Sequence, residues 1–483
     1  MAYRDLREWI NRLREMGELL VIDRPVSSDL ELGAICRYLL DRGPNRAVLF
    51  TAVDGGTVPV LANAFASRRR VNAALEVTEA NRMAFVLERW ERRIPPREVP
   101  PSAAPLLEVE AQGEAVDLSR FPIPRHNPGD GGRYISFGIL IVREPESGRH
   151  NLSYQRILVR GPRQGLINIE PNKHARRIWE QYRQRGEAMP VAVAIGVDPA
   201  LNLAAAASPP WEVDEYDLAG AFRGEPVEVV RLPEVPLLVP AQAEIVLVGR
   251  VLPDQEELEG PFAEFTGHYG AVVPNPVLEI DRIYHRRHPI YHTLYTGRPV
   301  CDNHVIQELL RSGKVWQAVR RVLPNVTAVY CPPQGANGYT VWIALDKRHN
   351  GEPKLAMMAA WTAFQYAKHV YVVDSDVDIY DPVQREWVVA TRVQADRDVW
   401  IIPEMVGHVL DPSAQGEWGA PERLGIAEVP RGTRAVMGID ATRPLGVSFP
   451  AVVEVEPEQL DRAQALVEAV VAAHGETKAS SAQ

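Results

Sequence analysis

Four short segments in the middle of the chain carry residue types that could bind a metal ion or move a proton. They run from Asn151 to Arg156, from Asn172 to His174, from Asp214 to Tyr216 and from Glu259 to Glu264. An asparagine oxygen, a histidine nitrogen and a glutamate oxygen together suit a hard divalent ion such as Mn²⁺ or Mg²⁺. The residue types therefore permit a metal site, although their spacing alone does not bring the segments together.

Each segment also has an ordinary structural explanation. A single histidine at the start of a helix, such as His174, more often makes a structural hydrogen bond than a metal bond. Two glutamates five positions apart in a loop are usually solvated charges, and an arginine on a strand is usually paired at the surface. Taken singly, the segments favour these explanations.

Composition limits the class of protein. A chain of 483 residues is too long to fold around a single compact core. A hydrophobic fraction of 46% with 24% charged residues is typical of a globular protein. The net charge of -10, without a long basic run, argues against nucleic-acid binding. Three widely spaced cysteines, Cys36, Cys301 and Cys331, fit a reducing cytoplasm. No apolar run of about 18 residues and no apolar leader is present, so we expect neither a membrane span nor a signal segment.

The hydrophobic pattern predicts three regions that differ in their secondary-structure content. Helices over residues 3–17 and after the capping-box pair Ser28 and Glu31 indicate an α/β layer, which a proline-rich linker at 94–101 ends. Strands then alternate with Pro/Gly turns up to about residue 300, which favours a barrel or folded sheet. The predicted strands are Ile135–Val142, Leu152–Val159, Val191–Gly196, Glu244–Val248 and Val277–Ile283. An α/β rhythm returns from about 315, with a last helix over Glu456–Ala473.

The four segments, in this order and spacing, resemble the UbiD-like decarboxylases. Further matches surround them, at Asp130–Tyr134, Ala219–Gly224, Val239–Leu247, Tyr295–Pro299 and Gly438–Thr442. The resemblance covers almost the whole chain except the last dozen or so residues. Many separate motifs in one order make it far more specific than a single short pattern.

The resemblance implies a mixed α/β fold in three domains. We expect an N-terminal α/β domain with the linker at 1–113, a central split β-barrel that binds the flavin at 114–314, and a C-terminal α/β oligomerisation domain at 315–475. A disordered tail is expected at 476–483. Similar proteins form homodimers or homohexamers.

The resemblance also implies prenylated FMN and a divalent metal, Mn²⁺ or Mg²⁺. The metal ligands would be Asn151, His174 and Glu215, and the metal would bridge to the cofactor phosphate, which needs a cation. The remaining cofactor-contacting residues carried over from the family's segments are Ser153, Tyr154, Gln155, Arg156 and Lys173. Potassium often accompanies the phosphate in similar proteins, and the sequence leaves that point open.

The catalytic set implied by the resemblance is Glu259, Arg156 and Glu264. Arg156 can hold one carboxylate as a bidentate partner, and burial against the flavin should raise the pKa of Glu264 so that it acts as a general acid. One geometric difficulty follows from strand periodicity. Asn151 and Arg156 are five apart, so an ideal strand directs them to opposite faces unless the cofactor wraps the strand end or a bulge intervenes.

The expected activity is that of a carboxy-lyase. In similar enzymes the prenylated flavin accepts the electron pair left by carbon dioxide, which no side chain could hold. The substrate would be an α,β-unsaturated or (hetero)aromatic carboxylic acid, and the reaction is non-oxidative and reversible. A separate flavin prenyltransferase would supply the cofactor. Alternatives are physiological carboxylation, a flavin-binding carrier without turnover, and a metal-dependent hydrolase with an open coordination position.

The segment from Cys301 to His304 precedes an apolar helical run and has two interpretations. In the first, Asp302 or Asn303 caps the helix and His304 is exposed. In the second, His304 projects into the cavity and forms a hydrogen bond with a polar group of the substrate.

Overall fold

The N-terminal region combines four helices with a four-stranded sheet. In the computed structural model, residues 3–171, 173–414 and 433–480 are described. The helices are α1 (Leu6–Glu15), α2 (Glu31–Asp41), α3 (Arg68–Ala74) and α4 (Arg82–Glu91). The sheet has the order β1 (Leu19–Ile22), β2 (Ala47–Phe50), β3 (Val60–Ala62) and β16 (Tyr291–His292).

Helix α1 shows why the periodic pattern was a good predictor here. Leu6, Trp9, Ile10 and Leu13 are spaced to share one face, and all four are buried. Asp5 caps the helix by accepting a hydrogen bond from the backbone of Glu8 at 2.9 Å. The predicted helix over 3–17 is confirmed, with ends that lie two or three residues further in.

The central region is built on a nine-stranded sheet, as far as the described residues show. Its strands are β5 (Val109–Gln112), β6 (Tyr134–Ile135), β7 (Ile139–Arg143), β8 (His150–Tyr154), β9 (Ile157–Val159), β10 (Gln164–Ile167), β11 (Met189–Ile195), β14 (Ile245–Glu259) and β15 (Val273–His285). They pair in the order β6-β9-β10-β15-β14-β11-β7-β8, and β5 also pairs with β15. The long antiparallel pair β14 and β15 has register shifts after Val248 and Val251, and it ends with Glu259 opposite Val273.

Three helices pack around this sheet, and two of them begin at predicted site residues, His174 and Glu215. The three helices are α5 (His174–Gln184), α6 (Pro199–Ala206) and α7 (Glu215–Arg223). A separate three-stranded sheet, found within the described ranges, has the order β13 (Leu238–Pro240), β12 (Glu228–Arg231) and β4 (Arg97–Glu98). Strand β4 lies inside the predicted linker, at the edge of that sheet, where prolines are tolerated.

The C-terminal α/β region begins with the long helix α8 (Asp302–Val322). Its sheet, counted over the described residues, has the order β17 (Val326–Tyr330), β18 (Thr340–Leu345), β19 (His369–Asp374), β21 (Thr433–Ala441) and β20 (Val399–Val406). Helices α9 (Glu352–Ala363) and α10 (Pro382–Arg392) complete it, and short 3₁₀ turns occur at Pro101–Ala103, Pro105–Glu108, Gly113–Ala115, Leu118–Arg120 and Pro333–Gly335. The predicted boundary between 314 and 315 falls inside α8, so the backbone has no break there.

The chain divides into two compact units, Met1–Thr442 and Arg443–Gln483. The second unit contains α11 (Pro457–Ser480), which begins one residue after the predicted start. This helix continues through residues 476–480, where a disordered tail was predicted, and residues 481–483 lie outside the described part. Among the described helices, none is both long and apolar enough to cross a membrane.

Two local predictions need correction. The strand predicted over Leu152–Val159 is two strands, β8 and β9, separated by Gln155 and Arg156. Ser28 does not cap α2, because its hydroxyl bonds the carboxylate of Asp54, while Glu31 accepts a hydrogen bond from the backbone of Ser27.

Candidate active site

Arg156 joins the two glutamates that the sequence placed in one catalytic set. Its Nε and Nη2 donate to the two carboxylate oxygens of Glu259, at 3.0 and 2.9 Å, which is a bidentate arrangement. Its Nη1 donates to Glu264. The three side chains therefore form one connected group, although 103 residues separate Arg156 from Glu259.

Two neutral side chains complete the surroundings of Glu259, which is 0% exposed. The hydroxyl of Tyr134, on β6, donates to one carboxylate oxygen at 2.8 Å. The amide of Asn275, on β15, donates to the other oxygen, also at 2.8 Å. A carboxylate with this many donors is fixed in position, and it fixes Arg156 in turn.

Glu264 has a different environment. Burial is the main cause that raises its pKa, to about 7; Arg156 opposes this, and the carboxylates of Glu170, Glu259 and Asp130 add to it. A carboxyl group with this pKa is protonated in about half of the molecules at pH 7 and can release that proton, as a general acid requires.

The backbone near Arg156 resolves the geometric difficulty set by its distance from Asn151. Strand β8 ends at Tyr154, so Arg156 lies in the connection to β9 and is free of the strand's alternation. Asn151 lies within β8, in register with Val142 of β7. The two residues can thus serve adjacent parts of one cofactor site.

The loop that carries Glu264 is packed closely against the segment that starts at Asp130. The Asp130 carboxylate accepts a hydrogen bond from the backbone of Ala263 at 2.9 Å. A Cβ on Gly131 would lie only 2.3 Å from the carbonyl oxygen of Gly260, so a larger residue does not fit there. This contact explains the glycine in the Asp130–Tyr134 motif.

Asn151 and Glu215 form the second polar group. The Asn151 amide nitrogen donates to one oxygen of Glu215, and the backbone of Leu152 donates to the other, both at 2.9 Å. Glu215 is 2% exposed, and burial, with repulsion from Asp214, raises its pKa to about 8. A buried carboxylate without a cationic partner is the kind of ligand that a metal ion would stabilise.

The side-chain oxygen of Asn151 is buried and has no hydrogen-bond partner among the described residues. His174, at the first position of α5, has a lowered pKa because it is partly buried and close to Arg149, Lys173 and Lys314. A neutral imidazole and an unpaired oxygen are both metal-ligating groups. The described side chains form no cluster of three or more His, Cys, Asp or Glu residues suited to a metal, and the predicted set contains only two of those types.

Two adjoining cavities contain the predicted residues. The first, of about 570 Å³, is lined by Asn151, Ser153, Lys173, His174 and Glu215. The second, of about 190 Å³, is lined by Tyr154, Gln155, Arg156, Lys173 and Glu264. Lys173, Gln307, Arg311 and Tyr366 line both, so the cavities are contiguous. A larger surface groove of about 1030 Å³ beside α1 and α3 contains none of the predicted site residues.

The remaining predicted cofactor contacts are positioned by neighbours in the cavity wall. The Tyr154 hydroxyl donates to the side-chain oxygen of Asn202 at 2.7 Å, and its ring stacks on Phe137 with centroids 4.8 Å apart. The Gln155 amide donates to the hydroxyl of Ser153 at 3.2 Å. The wall is therefore preformed by contacts within the protein.

His304 takes the capping role at the start of α8, but it is buried rather than exposed. Its Nδ1 accepts a hydrogen bond from the backbone of Cys301 at 3.2 Å, and its Nε2 lies 2.7 Å from the carbonyl oxygen of Phe265. The side chain is 0% exposed and is absent from the lining of both cavities. This arrangement leaves neither ring nitrogen for a substrate.

Several residues of the site were not found from the sequence. Tyr134 and Asn275 support Glu259, while Glu170, Arg311 and His408 line the smaller cavity. Tyr134 lies in a recognised motif, so its position was marked but its role was not. The others come from separate elements, and no spacing in the sequence connects them.

Comparison with known proteins decides the family. Residues 10–90, 97–299 and 304–441 match, in turn, the N-terminal, Rift-related and C-terminal domains of 3-octaprenyl-4-hydroxybenzoate carboxy-lyase, UbiD. The chain belongs to the UbiD family. The resemblance predicted from the motifs is thereby confirmed, together with the mixed α/β fold and the carboxy-lyase class.

Individual UbiD relatives agree over nearly the full length. Anhydromevalonate phosphate decarboxylase of Methanothermobacter thermautotrophicus is 32% identical, over 91% of this chain and 97% of that protein. The UbiD-class enzyme HmfF from Pelotomaculum thermopropionicum, in complex with FMN, is 35% identical with a TM-score of 0.86, covering 95% of this chain and 98% of that one. An evolved dimeric form of the same enzyme holds prFMN. Vanillic acid decarboxylase of Sedimentibacter hydroxybenzoicus, in closed form, is 27% identical with a TM-score of 0.85, covering 97% and 99%.

Proposed function

We propose that this UbiD-family protein uses prenylated FMN to decarboxylate, without net oxidation, an α,β-unsaturated or (hetero)aromatic carboxylic acid. The observation that carries the proposal is the connected group of Glu259, Arg156 and Glu264 in the wall of the smaller cavity. Several hydrogen bonds hold Glu259 and Arg156 in place, and the raised pKa of Glu264, about 7, keeps part of it protonated near neutral pH.

The larger cavity has residues suited to the cofactor and its metal. We assign Asn151, His174 and Glu215 as ligands of Mn²⁺ or Mg²⁺, supported by the unpaired oxygen of Asn151 and the buried carboxylate of Glu215. A cation there would neutralise Glu215 and the flavin phosphate together. Lys173 lines both cavities and would contact the cofactor between them. Metal analysis of the loaded protein would test for potassium beside the phosphate.

The chemistry divides between the cofactor and the chain. When bound, prenylated FMN supplies an electron sink for the pair of electrons that loss of carbon dioxide leaves on carbon. Arg156, held by Glu259, orients Glu264 beside the reacting carbon. Glu264 gives its proton to that carbon, and the resulting carboxylate regains a proton from solvent before the next turnover. The same steps in reverse describe carboxylation.

The alternatives that the sequence left open differ in what they need from these residues. A flavin carrier does not need a buried acid joined to an arginine, and that feature favours turnover. A hydrolase needs a water activated on the metal.

We further propose that a flavin prenyltransferase supplies the cofactor and that the chain forms a homodimer or homohexamer. Light scattering of the purified protein would distinguish the two oligomeric states.

The test compares flavin-free and flavin-loaded protein with a panel of cinnamate-like, phenolic, heteroaromatic and polyenoic acids. We expect the flavin-free protein to be folded, as judged by circular dichroism, and inactive, because no side chain can hold the carbanion. The loaded protein should release carbon dioxide from at least one acid. Full turnover without flavin would refute the mechanism, and ester hydrolysis without decarboxylation would favour the hydrolase.

A further inference from the structure

One face of helix α8 forms a wall of the larger cavity. Its residues at helical spacing line that cavity, and they are Gln307, Leu310, Arg311, Lys314, Ala318 and Arg321. Gln307 and Arg311 also line the smaller cavity, whereas Arg321 is exposed to solvent. Lys314 therefore lies along α8 between the junction of the two cavities and the exposed end of the wall.

The charged groups of the larger cavity are mostly positive. Four cationic side chains line it, namely Lys173, Arg311, Lys314 and Arg321. Glu215 is the single carboxylate among the described lining residues. The proposed metal ion would add to this excess of positive charge, so the cavity is suited to a ligand with an anionic group.

Lys314 differs from the other three cations because it has no partner within the protein. Lys173 lies 3.8 Å from the carboxylate of Glu170. Arg311 donates hydrogen bonds to oxygens of two neighbouring residues, and Arg321 is solvated. The ammonium group of Lys314 is partly buried, and it forms neither a hydrogen bond nor an ion pair with any residue that the structure describes. Such a group favours a ligand that brings negative charge.

The charge of Lys314 acts on the proposed metal ligand His174. Burial is the main cause that lowers the pKa of His174, and the charges of Arg149, Lys173 and Lys314 follow in that order. The pKa of Lys314 is itself lowered, first by burial and then by the charges of Lys173 and Arg311. Lys314 therefore lies close enough to the proposed metal site to interact with its ligands, in surroundings that disfavour its charge until an anion binds.

A count of charges favours the flavin phosphate as that anion. A divalent metal brings two positive charges, an ionised Glu215 brings one negative charge, and a phosphate monoester brings about two negative charges near neutral pH. One negative charge is left over, and the single positive charge of Lys314 would neutralise it. Lys173 contributes less to this balance, because the carboxylate of Glu170 lies beside it.

We propose that the ammonium group of Lys314 binds the phosphate of the flavin cofactor, and that it adds to the hold of the metal ion on that phosphate. This inference rests on the proposed flavin and metal site, and it does not require that the chain decarboxylates an acid. An anionic group of the substrate is the alternative ligand for Lys314, and the experiments below separate the two.

The first experiment measures the binding of FMN and of riboflavin, which lacks the phosphate, by the quenching of flavin fluorescence. It uses full-length, flavin-free protein saturated with Mn²⁺, and FMN is a suitable probe because the similar enzyme HmfF forms a complex with it. We expect Lys314→Met to weaken the binding of FMN by at least about 10-fold, the effect of losing one charge-assisted hydrogen bond. Riboflavin should bind about as well as before. Lys314→Arg, which keeps the charge, should restore most of the affinity for FMN.

Two further variants and a metal measurement serve as controls. Lys354→Met, at an exposed position on α9, is the matched control and should leave both affinities unchanged. Lys314→Gln, a second uncharged variant, should show the same selective loss of FMN binding. Flavin-free Lys314→Met protein should hold as much Mn²⁺ as the unmodified protein, which separates Lys314 from the metal ligands. Melting temperatures establish that each variant is folded.

The outcomes distinguish the inference from the proposed activity. Selective loss of FMN binding supports the inference, even where the flavin-loaded protein decarboxylates none of the acids. Equal FMN affinity of Lys314→Met and the unmodified protein would overturn the inference while leaving decarboxylation in place, and a higher KM for the acid in that variant would then assign Lys314 to the substrate. Equal weakening of FMN and riboflavin, or loss of Mn²⁺ from the variant, would also overturn it, because the lost contact would not be to the phosphate. Absence of any FMN binding would overturn it together with the proposed flavin site.

Discussion

Glu259 and Glu264 are two identical side chains, five positions apart in sequence, that lie in different environments. Glu259 receives hydrogen bonds from Tyr134, from Asn275 and twice from Arg156. Glu264 receives one from Arg156 and lies near other carboxylates. The donated hydrogen bonds fix the carboxylate of Glu259 in place. Burial and neighbouring negative charges raise the pKa of Glu264, which favours its protonated form. This difference in environment supports the proposal that Glu264 supplies the proton while Glu259 holds Arg156.

Glu264→Gln tests the acid role directly. Glutamine preserves the shape and the contact with Arg156 but cannot release a proton to carbon. We expect flavin content to be unchanged and the decarboxylation rate to fall by at least about 100-fold, a usual size for loss of a general acid. The exposed substitution Glu187→Gln is the control. Near-normal turnover by Glu264→Gln would move the acid role to another group.

The pH dependence of turnover should follow the same carboxyl group. Its pKa is raised to about 7, and only the protonated form can donate. The protonated fraction falls as pH rises through that value, so we expect kcat to decline on the alkaline side of about pH 7. The residual rate of Glu264→Gln should lack this decline. A rate that stays level between pH 6 and about pH 9 would contradict the assignment.

The proposed metal ligands lie on three elements whose ends meet. Asn151 is on β8, His174 begins α5 and Glu215 begins α7. Hydrogen bonds from Asn151 and Leu152 to Glu215 tie the strand to the start of α7. The backbone N–H groups in the first turns of α5 and α7 have no partner within their own helix, and the positive end of each helix dipole lies there. Both features favour a phosphate nearby. This arrangement supports the proposed site for a metal ion and the flavin phosphate.

His174→Ala or Glu215→Ala should lose metal and flavin together. The metal is expected to bridge the protein and the phosphate, so removal of one ligand weakens both. Bound metal, measured by mass spectrometry, and flavin absorbance should fall in parallel in each purified variant. His288→Ala, an exposed histidine, serves as the control. Full occupancy of both components in the Glu215 variant would refute the ligand assignment.

Helix α8 connects the N-terminal region to the C-terminal one through buried charges. Arg82, on α4, donates from both terminal nitrogens to Glu308 on α8, at 3.1 and 2.7 Å. Arg68, the first residue of α3, adds a contact at 3.2 Å. Arg82 and Glu308 are 4% and 1% exposed. The whole of Met1–Thr442 behaves as one compact unit, and these pairs are part of the reason.

Glu308→Gln should destabilise this unit. It leaves the buried Arg82 with only its longer contact to the exposed carboxylate of Glu79, at 3.6 Å, and loss of one partner of a buried pair costs up to about 3–5 kcal/mol. We expect a clearly lower unfolding midpoint in urea. Glu15→Gln removes an exposed pair with Arg12, whose side chains are 66% and 47% exposed, and should change stability by at most about 1 kcal/mol. Equal changes in the free energy of unfolding for the two substitutions would show that the buried Glu308 pair contributes no more to stability than an exposed pair.

Local patterns in the sequence determined several elements and the family. The spacing of Leu6, Trp9, Ile10 and Leu13 marks one helix face, and neighbours along the chain suffice to form it. The ordered motifs identified the family, and through it the Arg156, Glu259 and Glu264 group that the structure brings together. The roles of these residues and of the metal ligands stay predictions for the experiments above.

Only the tertiary structure decided where the strand ends and which distant residues meet. Strand β8 ends at Tyr154, so the side chain of Arg156 does not follow the alternating directions of that strand. Asn275 contacts Glu259 from β15, the strand that pairs with β14. His408 reaches the cavity of Arg156 from the far end of the chain, and Ser28 bonds Asp54 instead of capping its helix. Such contacts depend on packing between elements far apart in sequence, whose free energy is shared among many residues. These long-range contacts therefore cannot be inferred from a local sequence pattern.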